Sequence, residues 1–123
     1  MSNSRAVQPK AHWTVWLMAI MPGVMAVSFI VQALQARLIL GRNPRACLDA
    51  VSSPIFDLHR HAGELLLLAT LFAVLPIFVV TAAVRCVKRK PTGFPALCFA
   101  LGTALCGLLV VTNPWNYVDW WLD

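Results

Sequence analysis

Apolar residues along this chain are gathered into long uninterrupted runs instead of recurring as stripes on otherwise polar segments. Ala11 to Ala36, Leu65 to Val84 and Pro91 to Val118 contain no Lys, Arg, Asp or Glu. Each run reaches the roughly 18 to 20 residues that a helix needs to cross a hydrocarbon core about 30 Å thick. Where no water reaches the backbone, its polar groups must be satisfied within each segment, so three separated runs of this length predict helices and not barrel strands. The pattern predicts an all-α integral membrane protein, one transmembrane domain over residues 1–123. Its three transmembrane helices are expected at about 13–36, 62–84 and 94–112.

Shorter elements are expected on one side of the membrane. Asn43–Pro44 and Asn113–Pro114 each pair a capping residue with a proline suited to a first helical turn. They predict interfacial helices at about 44–51 and 114–122, lying flat with their aromatic and aliphatic faces inward. In the second of these, Trp115, Val118 and Leu122 should share the inward face, leaving Asn116, Asp119 and Asp123 in water. Ser53–Pro54 repeats the signal, so the second spanning helix should begin some turns before the hydrocarbon. Pro22–Gly23 should kink the first helix, and Ala19 with Gly23 should admit another backbone closely.

Composition agrees with the runs: 59% of residues are hydrophobic and 12% charged, against roughly 25% charged in a soluble domain. Mean hydropathy is +0.72. The first run follows "MSNSRAVQPK" and holds no small-residue cleavage site before a soluble domain, so the first helix is expected to be retained. The net charge of +5 lies at the ends of the runs and not on a soluble basic face, which excludes a nucleic-acid partner and bears on orientation instead. Arg5, Lys10, Arg85, Lys88, Arg89 and Lys90 fall on one side; Arg37, Arg42, Arg45 and Arg60 fall on the other. The richer side predicts a cytoplasmic N-terminus, an external C-terminus and a place in the cell inner membrane.

Chemistry is sparse. "FDLHRHAGE" sets Asp57, Arg60, His61 and Glu64 on one helical face, with Asp57 to Arg60 at i+3 and Arg60 to Glu64 at i+4. That spacing reads as an interfacial ion-pair cluster. His59 and His61 are the only candidates for a cofactor. Two residues apart on a helix they face different ways, so they do not chelate a metal together. They sit opposite His12 across the membrane, so they share no haem within one chain; haem, quinone or pigment contact would require a partner. Four cysteines form no ligand motif. Cys98 and Cys106 stand two helical turns apart, beyond disulfide reach, while Cys86 faces the reducing side and Cys47 the outside. No charged residue interrupts a run, which removes the usual mark of proton or ion pathways. Ser28, Gln32, Gln35, Thr70, Thr81 and Thr103 are the only polar lining on offer for a pore.

The third helix is built on small residues. Ala96, Ala100 and Ala104 recur every four positions, with Gly102, Thr103 and Gly107 beside them. Such a ridge lets helices approach where lipid removes the hydrophobic drive. The third helix is therefore expected to be the buried one and to dock on partner subunits, assisted by Trp115, Val118, Trp121 and Leu122 of the tail.

A first helix, a loop ending in "HAGE" and then "LLLLATLFAVLPIF" resembles the opening of ferric-reductase-like haem membrane domains, over helices one and two. The resemblance implies haem-binding histidines inside later helices. "ALCFALGTALCGLLVV" contains none, so no activity or site residue is carried over.

Together these readings favour a non-catalytic accessory or structural subunit of a larger integral membrane complex, of an electron-transport or photosynthetic kind, with other membrane subunits and lipid as its partners. A cofactor-bearing electron-transfer subunit, contacting haem b or quinone, and a small self-assembling transporter or pore are the alternatives.

Overall fold

The computed structural model describes residues 12–45, 49–51, 53–90 and 92–122. Its helices are α1 (Trp13–Leu40), α2 (Pro54–Val87), α3 (Gly93–Thr112) and the short α4 (Tyr117–Leu122). The first three are long and apolar enough to cross a membrane. No strand occurs among the described residues.

Two of the helices outlast their apolar runs. α1 has 28 residues and α2 has 34, so at about 1.5 Å per residue both exceed a core of about 30 Å. Most of the surplus lies at the end they share, where α1 continues four residues past Ala36 and α2 begins eight residues before Ala62. Hydropathy marks where lipid starts, whereas a helix ends where its backbone bonding is stopped. Gly41 stops α1 in the left-handed region at φ 66°, a conformation that costs glycine least.

Pro22 lies inside α1 without ending it. Pro76 is accommodated differently. Thr70 to Val74 widen into a π turn, and the Leu75 N–H reaches back to the Thr70 carbonyl. A proline within a helix lacks an N–H and its ring crowds the carbonyl four residues earlier; a wider turn just before it relieves both problems.

Among the three long helices α1, not α3, is the most buried. It buries Val15, Ala19, Pro22, Ala26, Gln32, Ala33 and Ala36, whereas α3 buries Pro95, Phe99 and Gly102. The reason is its position: α1 packs on α3 along one face and on α2 along another. Gly102 crosses it so closely that a Cβ there would stand 2.7 Å from the Gly23 nitrogen and 3.2 Å from Pro22. Near the N-terminal end of α1 the three helices close around stacked Phe78 and Phe99, with ring centroids 4.1 Å apart, beside Val15 and Ala19. Outward-facing Leu65, Leu68, Phe72, Val80, Leu101 and Val111 leave an apolar exterior.

The tail departs from its expected form. Asn113, Trp115 and Asn116 all have positive φ, at 41°, 60° and 59°, so residues 114–116 form a tight turn and only Tyr117–Leu122 is regular helix. That break shifts the register. The inward residues are Tyr117, Val118 and Trp120, while Leu122 is 71% exposed and Trp115 half-buried. Asp119 faces out and accepts from the Asn113 side chain at 2.6 Å, whereas Asp123 lies outside the described residues. Of the helix expected at 44–51, residues 46–48 lie outside the described residues; Pro44, Arg45, Asp49, Ala50 and Val51 carry no helix.

Candidate functional site

The shared end of α1 and α2, roofed by α4, holds a connected network of interior polar side chains. Three polar side chains of α1, Ser28, Gln32 and Gln35, point toward α2 on successive turns. His59 meets two of them. Its Nδ1 lies 2.8 Å from Gln35 Oε1 and its Nε2 lies 3.1 Å from Ser28 Oγ. An amide oxygen only accepts, so Nδ1 carries the proton and Nε2 accepts from the Ser28 hydroxyl. Gln32 is 1% exposed and is spent in the same way. Its Nε2 donates to the His59 carbonyl at 3.1 Å and to Ser28 Oγ at 3.4 Å, and its Oε1 accepts from the Tyr117 hydroxyl at 3.1 Å. Burial holds the Tyr117 phenol far above its ordinary range, so it stays a protonated donor at all ordinary pH.

Gly63 makes this possible. The Gln32 amide lies against the α2 backbone where a Cβ on Gly63 would collide with Nε2. The glycine of "HAGE" is therefore a seat for Gln32, a role no spacing rule would have shown.

Around the network lies an aromatic layer. Phe29 meets Tyr117 and Trp121 edge-on at 5.0 and 5.7 Å between centroids, and Phe56 packs on Trp120 at 5.7 Å. Trp120 Nε1 donates to the Asp49 carbonyl at 2.7 Å. The Arg42 guanidinium grips Asp49, with Nη1 at 2.7 Å from Oδ2, and holds that carboxyl below its ordinary range.

The ion-pair cluster forms only in part. Arg60 pairs with Glu64 at 3.3 Å, but no ion pair joins it to Asp57 among the described residues. Arg60 instead donates to the Trp121 carbonyl at 3.3 Å and lies 5.9 Å over the Trp120 ring. His61 Nδ1 donates to the Asp57 main-chain carbonyl at 2.8 Å, not to its carboxylate, and the ring is exposed. Arg60 thus clamps the tail, and Arg37 lies 5.7 Å over Trp115 in a similar way.

A cavity of about 210 Å³ lies beside this network, floored by Met25, Ala26 and Phe29 of α1, walled by Leu67 of α2 and Leu109 of α3, and roofed by Trp121. Ser28 and Gln32 reach its edge. Cys106 closes another side and donates to the Pro22 carbonyl at 3.1 Å.

The small-residue ridge divides. Gly102 is consumed by α1 and Ala96 packs beside the phenylalanine stack. Ala100, Thr103, Ala104 and Gly107 are exposed on the other side of α3, and a Cβ on Gly107 would meet nothing within 4 Å. Val118 and Trp121 of the tail pack against this chain's own helices.

For ligation the arrangement offers little. Both ring nitrogens of His59 are engaged, so binding iron there would require giving up Gln35 or Ser28. His61 Nε2 has no partner among the described residues, and the ring stands apart from His59. Among the described residues no group of three His, Cys, Asp or Glu side chains is placed to hold a metal ion. No protein-family model matches the chain, and neither curated proteins nor solved structures match it.

Proposed function

We propose that this chain is a small non-catalytic accessory subunit of a larger integral membrane complex, multi-pass in the cell inner membrane with its N-terminus cytoplasmic and its tail outside. The observation that carries the reading is the division of α3. One face is used up within the chain, Gly102 and Cys106 on α1 and Phe99 on Phe78 of α2, while Ala100, Thr103, Ala104 and Gly107 form a second small-residue face that this chain leaves uncovered. Small side chains are what membrane helices use to approach one another. The interior polar groups around His59 satisfy one another, which suits a scaffold better than a reaction centre.

Gly107→Leu in the full chain tests it. The position is open, so the chain itself accommodates the leucine, and replacing a mid-helix glycine favours the helix by up to about 1 kcal/mol. Partner chains that co-purify with the wild type in mild detergent should be lost from the variant, with its amount in the membrane unchanged. Undiminished recovery of those partners would reject α3 as the docking face.

A further inference from the structure

We propose that the cavity under Trp121 is a seat for one chain of an ester-linked membrane lipid, with the ester carbonyl accepting from Trp121 Nε1. The inference rests on the membrane-spanning reading and not on the accessory-subunit reading.

Three observations define the occupant. The cavity is bounded by three helices that are each long and apolar enough to span a membrane, so the medium around it is lipid. Its walls are apolar, with Met25, Phe29, Leu67 and Leu109 facing it, and its neighbours Ser28 and Gln32 are bonded within the α1–α2 network. A water placed there would lack the two to four polar partners that hold buried water. At about 210 Å³ it is smaller than the roughly 300–1,000 Å³ that encloses a whole drug-sized molecule. It has room for a segment of hydrocarbon chain and not for a ring system with its substituents.

The third observation fixes the polar end. Trp121 lines the cavity, and its Nε1–H is buried with no acceptor among the described residues. A buried donor left unpaired is costly, and indoles at membrane interfaces ordinarily find a partner. Trp121 stands on α4, at the polar end where Arg60 and Glu64 pair. That is the headgroup level, where a glycerolipid carries its ester carbonyls and its chains run inward. An acyl chain lying along Phe29 and Leu67 toward Leu109 brings such a carbonyl to the indole.

Lipid retention by the full chain, purified in mild detergent and exchanged into bilayer discs, decides it by native mass spectrometry. Discs are made of diacyl phosphatidylcholine or of its dialkyl ether counterpart, which lacks the ester carbonyls. The wild type should keep one diacyl lipid on release. Trp121→Phe should keep roughly two- to tenfold less, the range expected for losing one hydrogen bond, and the wild type in ether lipid should fall to the same level. Leu67→Trp, which fills the cavity and spares the indole donor, should lose the lipid in both discs. Equal retention by the wild type and Leu67→Trp would overturn the seat. Equal retention of ester and ether lipid by the wild type would overturn the carbonyl contact. Extraction of the chain from native membranes by alkaline carbonate would instead overturn the membrane-spanning reading on which the seat depends.

Discussion

Gln32 of α1 and His59 of α2 are joined twice: the Gln32 amide donates to the His59 carbonyl at 3.1 Å, and Ser28, which accepts from the same amide, hydrogen-bonds the His59 ring at 3.1 Å. The contact is between a side chain and a backbone, so it depends on how closely the two helices approach. Gly63, one turn beyond His59, sets that approach. In a low-dielectric interior such a network is rigid while complete and costly when broken.

Gly63→Ala should therefore destabilise the chain although alanine is the better helix former. The added methyl displaces the Gln32 amide, leaving buried polar groups unpaired at about 1–3 kcal/mol. Thermal unfolding in detergent, followed by circular dichroism, should show a lowered midpoint for Gly63→Ala and little change for Ala62→Gly, whose residue is exposed. A midpoint equal to that of the wild type would mean that Gln32 is not held here.

Gly102→Leu should weaken α1–α3 packing within the chain, because the Pro22–Gly23 backbone cannot retreat from a new side chain. Overpacking of this kind costs about 1–3 kcal/mol. The loss should appear in the purified single chain, with no partner present. Contrast with Gly107→Leu separates internal packing from docking: only the second should leave the isolated chain as stable as before.

The three long apolar helices were legible because a hydrocarbon core imposes a length, and a charge-free run of that length has few other uses. The polar site was only partly legible. Ser28, Gln32 and Gln35 stood out as polar residues in or beside an apolar run, yet as a thin pore lining, since nothing in their spacing names His59 as their common partner. Helical spacing from Trp115 places Leu122 inward; left-handed backbone at Trp115 and Asn116 breaks that spacing, and although asparagine tolerates that region, nothing about a tryptophan announces it. Helical spacing sets Arg60 beside Glu64, and the two lie 3.3 Å apart, but the carbonyl partner of Arg60 at Trp121 lies 61 residues away in sequence, beyond any local rule. The ridge of α3 was visible as a ridge, while its split into a used and an unused face depends on where α1 lies.

The Arg42–Asp49 clasp should respond to acid. The Asp49 side chain accepts from the Arg42 guanidinium, and this contact lowers its pKa below the ordinary 3.8. A carboxyl depressed on folding contributes stability above its unfolded pKa, and that contribution is lost as pH falls through the lower, folded value. The loop should thus stay closed at neutral pH and open only below about pH 3.8. Because Trp120 Nε1 bonds the Asp49 carbonyl, opening should be visible as a change in tryptophan emission. Asp49→Asn should show that change already at neutral pH, with a flattened acid transition.

Orientation can be read from the cysteines. Cys86 is exposed at the end of α2 beside Lys88, Arg89 and Lys90, on the side the basic residues assign to the cytoplasm. Cys98 and Cys106 are half-buried within α3. In intact cells an impermeant thiol reagent should spare Cys86 in a chain that carries it as its only cysteine, and should react after the membrane is opened. Reaction in intact cells would invert the topology.

The tail should stabilise this chain itself before it serves any partner. Tyr117 gives its hydroxyl proton to Gln32 at 3.1 Å, Trp120 bonds the Asp49 carbonyl at 2.7 Å, and Arg60 holds the Trp121 carbonyl at 3.3 Å. The tail thus ties α1, α2 and the connecting loop together, and it covers Phe29 and Phe56. Truncation after Asn113 uncovers those rings and removes the donor to a buried amide oxygen. Tyr117→Phe isolates the second effect: it keeps the ring and leaves Gln32 Oε1 unpaired, at about 1–3 kcal/mol. Unfolding midpoints of the purified chain should fall in the order wild type, Tyr117→Phe, truncated chain, while all three should still enter the membrane because the three long apolar helices are untouched. If the truncated chain unfolds at the wild-type midpoint and loses only its partners, the tail is an external docking element and its contacts with Gln32 and Asp49 contribute nothing to the fold.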